Sequence, residues 1–125
     1  MDLIDATGSL ILSDLGLPYA GQEPQNKDSI PAAGLVIIER VGGGMTQYGR
    51  TDSPWLQFTV LANSKKKAFD LIHDVRALWA KPRSRVGDLF VYGIDEVLNV
   101  EEASLTSDPF YRVRCSFKFH VKGLT

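Results

Sequence analysis

A glycine-rich segment from Gly44 to Thr51 has the spacing of a phosphate-binding loop. Its sequence, GMTQYGRT, fits the pattern G-x-x-x-x-G-K-S/T with Arg50 in place of the lysine. Such a loop holds phosphate where it opens a helix, because the N-terminal amides and the helix dipole bind the anion. Here Pro54 and a strand-like run follow instead, and arginine does not replace the compact charge of the lysine. We therefore do not expect nucleotide binding.

The other residues with chemical potential are two histidines, one cysteine and scattered carboxylates. His73 falls on a predicted helix next to Asp74, with no second metal ligand at i+4. Cys115 falls on the apolar side of a predicted strand, which favours a small buried core residue over a nucleophile. The adjacent acidic pairs at residues 95–96 and 101–102 are typical of solvated turns. We expect no enzymatic activity, no metal and no cofactor.

Three lysines, Lys65, Lys66 and Lys67, begin a predicted helix. Cations in the first turn oppose the helix dipole at about 0.3–1 kcal/mol each before screening. Helix propensity therefore does not explain them. Two interpretations remain open: a solvated surface, or contact with DNA phosphate or with an acidic partner.

Hydrophobic periodicity predicts one domain over residues 1–125. The predicted helices cover residues 2–15 and 64–79, and the predicted strands cover 35–41, 56–62, 88–94 and 111–122, with a further short strand at 97–102. We predict an α/β (α+β) fold. It has a mainly antiparallel or mixed sheet of about four strands, with both helices on one face and a long loop at residues 42–53.

The last strand alternates most clearly. Apolar side chains from Tyr111 to Val121 point one way, and the opposite side carries Arg112, Arg114, Ser116, Lys118, His120 and Lys122. The polar side is either a solvated outer face of the sheet or a surface that meets acidic groups of a neighbouring subunit.

The loop at residues 42–53 is longer than a simple hairpin requires, since hairpin loops have two to five residues. It offers adaptable and anchoring side chains of the kind that interfaces favour. The candidate contacts with a subunit or partner are Gly43, Gly44, Met45, Gln47, Tyr48, Arg50 and Asp52, together with Arg112, Arg114 and Lys118 of the last strand. We expect this loop to become ordered on a partner.

Composition limits the choice of partners. The net charge of −1 gives no bulk attraction to nucleic acid or to an anionic membrane. The apolar runs are far shorter than the ~20 residues of a transmembrane helix, and the first residues lack the basic region of a signal peptide. The single cysteine does not require an oxidising compartment. We expect a soluble protein made in the cytoplasm, without a membrane partner.

The chain resembles the tail terminator (tail completion) proteins of long-tailed bacteriophages, sometimes grouped with phage minor capsid proteins. The resemblance covers most of the chain, and its elements occur in a characteristic order. They are an N-terminal helix, a proline-containing connection, the strand Leu35–Val41, a loop closing on Asp52-Ser53-Pro54, the strand Leu56–Val60, the helix with Ala68–Val75, and a C-terminal strand with Phe117 and Phe119.

The resemblance implies a non-enzymatic ring protein of the virion tail, a hexamer at the head-proximal end. The ring would cap the tail tube protein, end its polymerisation and join it to the head–tail connector protein, with DNA passing through the lumen without specific binding. A ring needs two different complementary patches, and the basic strand face with the acidic region Glu96–Glu102 is one such pair.

A head-completion or adaptor protein is the alternative in the same class. A small nucleic-acid-binding domain using Lys65–Lys67, Arg83, Arg85 and the basic strand face is the alternative from another class.

Deleting residues 43–48 is expected to leave the fold intact and to abolish assembly, because the loop lies outside the predicted core. Thermal unfolding checks the fold, and the mass in solution with and without tail tubes checks assembly. Loss of cooperative unfolding in the deletion variant would show that the loop is structural instead.

Overall fold

The computed structural model describes residues 3–22, 31, 33–42, 51–80, 85–86, 89–102 and 110–122. The described chain forms two helices and seven strands, which join in one sheet. In chain order the elements are α1 (Leu3–Leu15), β1 (Tyr19–Ala20), β2 (Leu35–Gly42), β3 (Thr51–Asp52), β4 (Trp55–Ala62), α2 (Lys65–Ala80), β5 (Arg85–Val86), β6 (Leu89–Glu102) and β7 (Tyr111–Lys122). No described helix is both long enough and apolar enough to cross a membrane.

Local signals set the ends of both helices. Gly16 ends α1 with a left-handed φ of 66°, and its N–H donates to the carbonyl of Leu12 at 3.0 Å. Ser64 begins α2, because its hydroxyl accepts from the N–H of Lys67 at 3.2 Å and its carbonyl accepts from the N–H of Ala68 at 3.0 Å. A serine cap contributes about 1 kcal/mol, which offsets part of the cost of three lysines in the first turn.

The sheet is mixed, with strand order β1-β2-β4-β7-β6-β5. β1 runs parallel to β2, and every other neighbouring pair is antiparallel. The predicted class, a mainly antiparallel or mixed sheet with two helices, is confirmed, but about four strands was too few. The additional strands β1, β3 and β5 have two residues each, too short to produce a periodic signal in the sequence.

β3 and β4 form one interrupted strand beside β7. Thr51 pairs with Lys122 and Trp55 pairs with Lys118, so the register is the same on both sides of the interruption. Pro54 lies in the gap, where it has no N–H to donate, but its carbonyl still accepts from the N–H of Phe119 at 2.9 Å. The strand predicted at residues 56–62 therefore begins one residue earlier, at Trp55. It continues the register of β3, which lies at the end of the predicted loop.

Both helices pack on one face of the sheet, as the sequence predicts. The core there contains apolar residues from α1, α2 and the central strands. Its centre is aromatic: Trp79 of α2 lies 5.6 Å from Phe58 and 5.2 Å from Phe119, measured between ring centroids. A smaller buried cluster of Leu35, Ile37, Leu61 and Phe110 lies apart from it. β2 contributes to both clusters, because it carries apolar side chains on both of its sides.

One correction concerns residues 88–102, which were predicted as two short strands. They form the single strand β6, Leu89–Glu102, whose register against β7 shifts between Val91 and Gly93, between Glu96 and Leu98 and between Leu98 and Glu101. Each bulge moves the alternation to the other face. The pattern of one continuous strand consequently breaks in the sequence while the strand itself continues.

Replacing Phe58 with Ala is expected to lower the free energy of unfolding by about 3–5 kcal/mol, because the ring is fully buried against three other aromatic rings. The matched control is Phe90→Ala, at a ring that is 48% exposed, for which we expect a cost within about 1 kcal/mol. Denaturant unfolding measures both. Equal costs for the two variants would contradict this assignment of the core.

Candidate interaction surface

The polar face of the sheet is the side of β4 and β7 that points away from the helices. Successive side chains of a strand alternate between faces, and the buried alternates Phe58, Cys115 and Phe119 lie in the helix-side core. The polar face therefore carries Trp55, Gln57, Thr59 and Leu61 of β4 and Arg112, Arg114, Ser116, Lys118 and His120 of β7, of which Thr59, Leu61 and Ser116 are buried. The predicted basic side of the last strand is thus placed on one face of the sheet.

β6 supplies acidic partners to this face and to the helix side. Glu101 pairs with Arg114, and Asp95 Oδ2 lies 2.8 Å from His120 Nε2. On the helix side, Glu96 pairs with Arg76 at 3.0 Å and Glu102 with Lys65 at 3.5 Å. The acidic pairs were interpreted as solvated turns, and that interpretation was wrong: all four carboxylates project from a strand, three toward cations and Asp95 toward His120.

These ion pairs affect the charge of the surface more than they affect the stability of the folded protein. Exposed pairs contribute about 0.2–1 kcal/mol each. However, the pairs with Glu96, Glu101 and Glu102 occupy the acidic region that was expected to meet the basic strand face of a neighbouring subunit. The pairing of Glu101 with Arg114 joins the two proposed complementary patches within one chain. A contact between these patches of neighbouring subunits would have to compete with this pairing within the chain.

His120 connects three segments at the end of the polar face. Its Nε2–H donates to Asp95 at 2.8 Å, because a carboxylate only accepts, so in the neutral ring Nδ1 accepts from the hydroxyl of Ser53 at 3.0 Å. The Tyr92 ring lies 5.6 Å from the imidazole. Gly93 is opposite His120, and a Cβ at Gly93 would come within 3.2 Å of the ring. The histidine therefore fixes the Ser53–Pro54 junction against β7 and β6.

Serine, histidine and aspartate joined by hydrogen bonds are also the parts of a hydrolase triad. In that triad the serine faces Nε2 and a buried carboxylate faces Nδ1. Here Ser53 faces Nδ1, Asp95 faces Nε2, and the Asp95 side chain is 73% exposed. This geometry favours a structural role for His120, holding the start of β4 in place.

The other predicted contact residues are placed as follows. Lys118 is opposite Trp55 on one side and Asp95 on the other, and the guanidinium of Arg112 lies over the ring of Phe110 at 5.5 Å. Asp52 belongs to β3, where it pairs with Val121, but its side chain lies outside the described residues. The rest of the loop candidates, Gly43, Gly44, Met45, Gln47, Tyr48 and Arg50, also lie outside them.

The three lysines of α2 do not form a uniform free surface. Lys65 pairs with Glu102, the backbone N–H of Lys67 is held by the Ser64 cap, and Lys66 is exposed. One ion pair at the first position reduces the local positive charge. Arg85, a residue of the alternative nucleic-acid-binding surface, lies in β5 with its guanidinium 6.0 Å from the centre of the Phe90 ring.

Apolar side chains are exposed at two opposite edges of the sheet. On β6, Phe90, Tyr92 and Val97 are exposed, and Tyr92 is 57% accessible. On β2, Val41 is 45% accessible. β2 and β6 are separated by β4 and β7 in the strand order. Exposed aromatic and aliphatic groups at an edge are typical of surfaces that bind another protein.

Two surface cavities lie on the helix side. One, of about 170 Å³, is lined by Leu3 and Ile4 of α1, Arg40 of β2, and Pro54 and Leu56 near the start of β4. The other, of about 230 Å³, is lined by His73, Arg76, Ala77 and Ala80 of α2 and by Glu96 of β6. The first is mainly apolar with one guanidinium, whereas the second contains an ion pair.

Cys115 is buried on the helix side of β7. Burial raises the pKa of its thiol to about 12, with a smaller contribution in the same direction from the Glu96 carboxylate and an opposing one from Arg76. A thiol that stays protonated is a poor nucleophile, so the prediction of a small core residue is confirmed. Among the described residues, no group of three or more His, Cys, Asp or Glu side chains could hold a metal ion.

Sequence reasoning missed Ser53, Asp95 and Tyr92 as members of this surface, and it missed Arg40 in the lining of the cavity on the helix side. The register of β4 against β7 places Ser53 opposite His120, and the bulges of β6 place Asp95 and Tyr92 beside the same ring. These are long-range pairings, which local periodicity does not contain. The alternation of β7 did identify the correct face for His120.

A comparison with protein-family models and with curated proteins gives no match for this chain.

The Cys115 thiol is expected not to react with a disulfide reagent such as Ellman's reagent in the folded protein at pH 8, and to react fully in denaturant. In the unfolded chain the thiol titrates near its ordinary pKa of 9.0, whereas in the folded state it titrates near 12. Its contribution to stability is therefore complete below about pH 9 and is lost as the pH rises toward 12. Rapid labelling of the folded protein would contradict the burial, and Cys115→Ala is the blank for the reagent.

Proposed function

We propose that this chain is a structural ring protein of a bacteriophage tail, which caps the tail tube, ends its polymerisation and joins it to the head connector. The proposal starts from the resemblance to tail terminator proteins. It is supported by the order of the elements: an N-terminal helix, a strand, the strand after the long loop, a helix packed on the sheet and a long C-terminal strand.

The observation that carries the proposal is the exposure of apolar side chains on both edges of one sheet. A ring is built from a heterologous interface, in which one patch of a subunit contacts a different patch of the next. Tyr92 and Val97 on β6 and Val41 on β2 provide two such different patches, on opposite sides of the subunit. A monomer that buries its apolar surface within itself is expected to expose fewer aromatic groups at an edge.

The outer edges of the sheet favour contact through side chains. β5 pairs only with Leu89 and Phe90, and within the described residues no other strand covers the outer edge of β6. Bulges, as in β6, are one of the devices by which proteins prevent uncontrolled strand addition at an edge. We therefore infer that neighbouring subunits meet through side chains of the edge strands more than by extending the sheet.

The charges of the described surface support a ring that does not hold DNA tightly. Arg114, Arg76 and Lys65 each pair with a carboxylate of β6, and the net charge of the chain is −1. Strong binding to the DNA backbone needs several cations that are able to replace condensed counterions. The alternative of a nucleic-acid-binding domain thus gains no support from these residues.

The purified protein is expected to form a ring of defined mass, or to remain a monomer that becomes a stoichiometric cap at the ends of tail tubes. Multi-angle light scattering measures the first, and electron microscopy of tubes with the protein measures the second. Both are done at low and at moderate salt, because an apolar interface keeps its strength when ionic interactions are screened.

A persistent monomer that ignores tail tubes and binds duplex DNA would overturn the proposal. In that case the DNA affinity would fall steeply with salt, which a fluorescence anisotropy titration at several salt concentrations detects.

A further inference from the structure

The cavity between α1, β2 and β4 has the size and lining for one aromatic side chain. Its volume is about 170 Å³, and of the five described residues that line it, Leu3, Ile4, Pro54 and Leu56 are apolar. An apolar protein cavity of ~150 Å³ accepts a benzene ring. The fifth residue, Arg40, brings a guanidinium to the same lining. An occupant with an aromatic ring and an adjacent anion would match both parts of the cavity.

Tyr92 and Asp95 on β6 present such a pair of groups. Tyr92 is the most exposed of the large hydrophobic residues that the structure describes. Its ring lies 5.6 Å from the ring of His120, and Asp95 accepts a hydrogen bond from the same imidazole. The aromatic ring and the carboxylate therefore lie side by side, held in position by one histidine.

The charges are complementary as well. Oδ2 of Asp95 accepts from His120, and the Asp95 side chain is 73% exposed. Nε of Arg40 donates to the Gly42 carbonyl at 3.3 Å. Arg40 is exposed and lines the cavity, so a carboxylate of a partner at the cavity would meet a side chain of opposite charge.

The two features lie on different sides of the subunit. Arg40 is paired with Leu56 between β2 and β4, and Leu56 belongs to the helix-side core. Tyr92 lies against His120, on the polar face and beyond β7. The chain therefore presents the aromatic group and the cavity as two separate patches, which is the requirement for a head-to-tail contact.

We infer that the cavity is the docking site for Tyr92 of a second copy of this chain, with Asp95 of that copy paired with Arg40. The inference rests on the proposed ring and names its interface. Tyr92 fits this role better than Phe90, because Phe90 has Arg85 over its ring. The histidine–aspartate bond then positions the aspartate for the contact.

The test uses one variant for each side of the interface. Tyr92→Ala removes the aromatic group and keeps the cavity, whereas Ile4→Trp fills the cavity and keeps Tyr92. Each variant alone is expected to lose assembly, with the association constant lowered at least about tenfold, since central aromatic anchors dominate interfaces. Mixed in equal amounts, the two are expected to form a dimer, because one intact contact remains between them. Leu12→Ala is the control, because Leu12 is exposed on α1 and lies outside both β6 and the described lining of the cavity. It is expected to assemble like the wild type.

A charge exchange gives a second test that leaves the packing around Ile4 unchanged. Arg40→Glu and Asp95→Arg are each expected to weaken assembly, and the double variant is expected to recover at least part of it. Light scattering and sedimentation measure assembly, and thermal unfolding establishes that each variant is folded.

The outcomes separate this inference from the function on which it rests. The docking site is wrong if the wild type assembles and the folded Tyr92→Ala and charge variants assemble equally well. The proposed ring would stand in that case. If the folded wild type stays monomeric both alone and with tail tubes, the ring and the docking site are both overturned. A wild type that stops at a dimer would overturn the head-to-tail geometry.

Discussion

The antiparallel register between β4 and β7 is the constraint on which both faces of this protein depend. It places Phe58 opposite Cys115 and Ser53 in line with His120. Because side chains alternate along a strand, a slip of one residue would move Phe58 and Phe119 to the polar face and Arg114 into the core. Burying an unpaired guanidinium costs far more than the exposed pairs on this sheet contribute. The register is therefore determined as much by the cost of burying Arg114 as by the favourable burial of Phe58 and Phe119.

β6 adds charged and aromatic side chains beside the strand pair β4–β7. Its two pairs of adjacent carboxylates alternate between the faces, toward Arg114 and His120 on one side and toward Arg76 and Lys65 on the other. The result is a strand whose charges are satisfied within the chain while its aromatic residues remain exposed. Since exposed ion pairs add little stability, the proposed association between subunits is expected to depend on apolar contacts.

The parts of the fold that follow from local periodicity were predictable from the sequence. Both helices, β2, β4 and β7 occur within one or two residues of their predicted bounds, because each has a regular apolar pattern and, at the helix ends, Ser64 or Gly16 as a signal. β6 was not predictable as one strand, since its bulges interrupt the alternation. The cluster of Ser53, Asp95, Tyr92 and His120 depends on pairings between distant segments, and no local pattern specifies them. The predicted polar side of β7 was correct, but the partners that neutralise it were missed.

The interrupted strand of β3 and β4 links the core to the proposed interface. Pro54 breaks the hydrogen-bond ladder but keeps its carbonyl in it, and the same residue lines the cavity on the helix side. Ser53, its neighbour, is bonded to His120 on the polar face. His120 in turn holds Asp95 and contacts Tyr92. A displacement at this junction would therefore reach the cavity through Pro54 and the aromatic group through His120. In a closed ring both patches of every subunit must fit simultaneously, so a rigid junction between them is an advantage for this architecture.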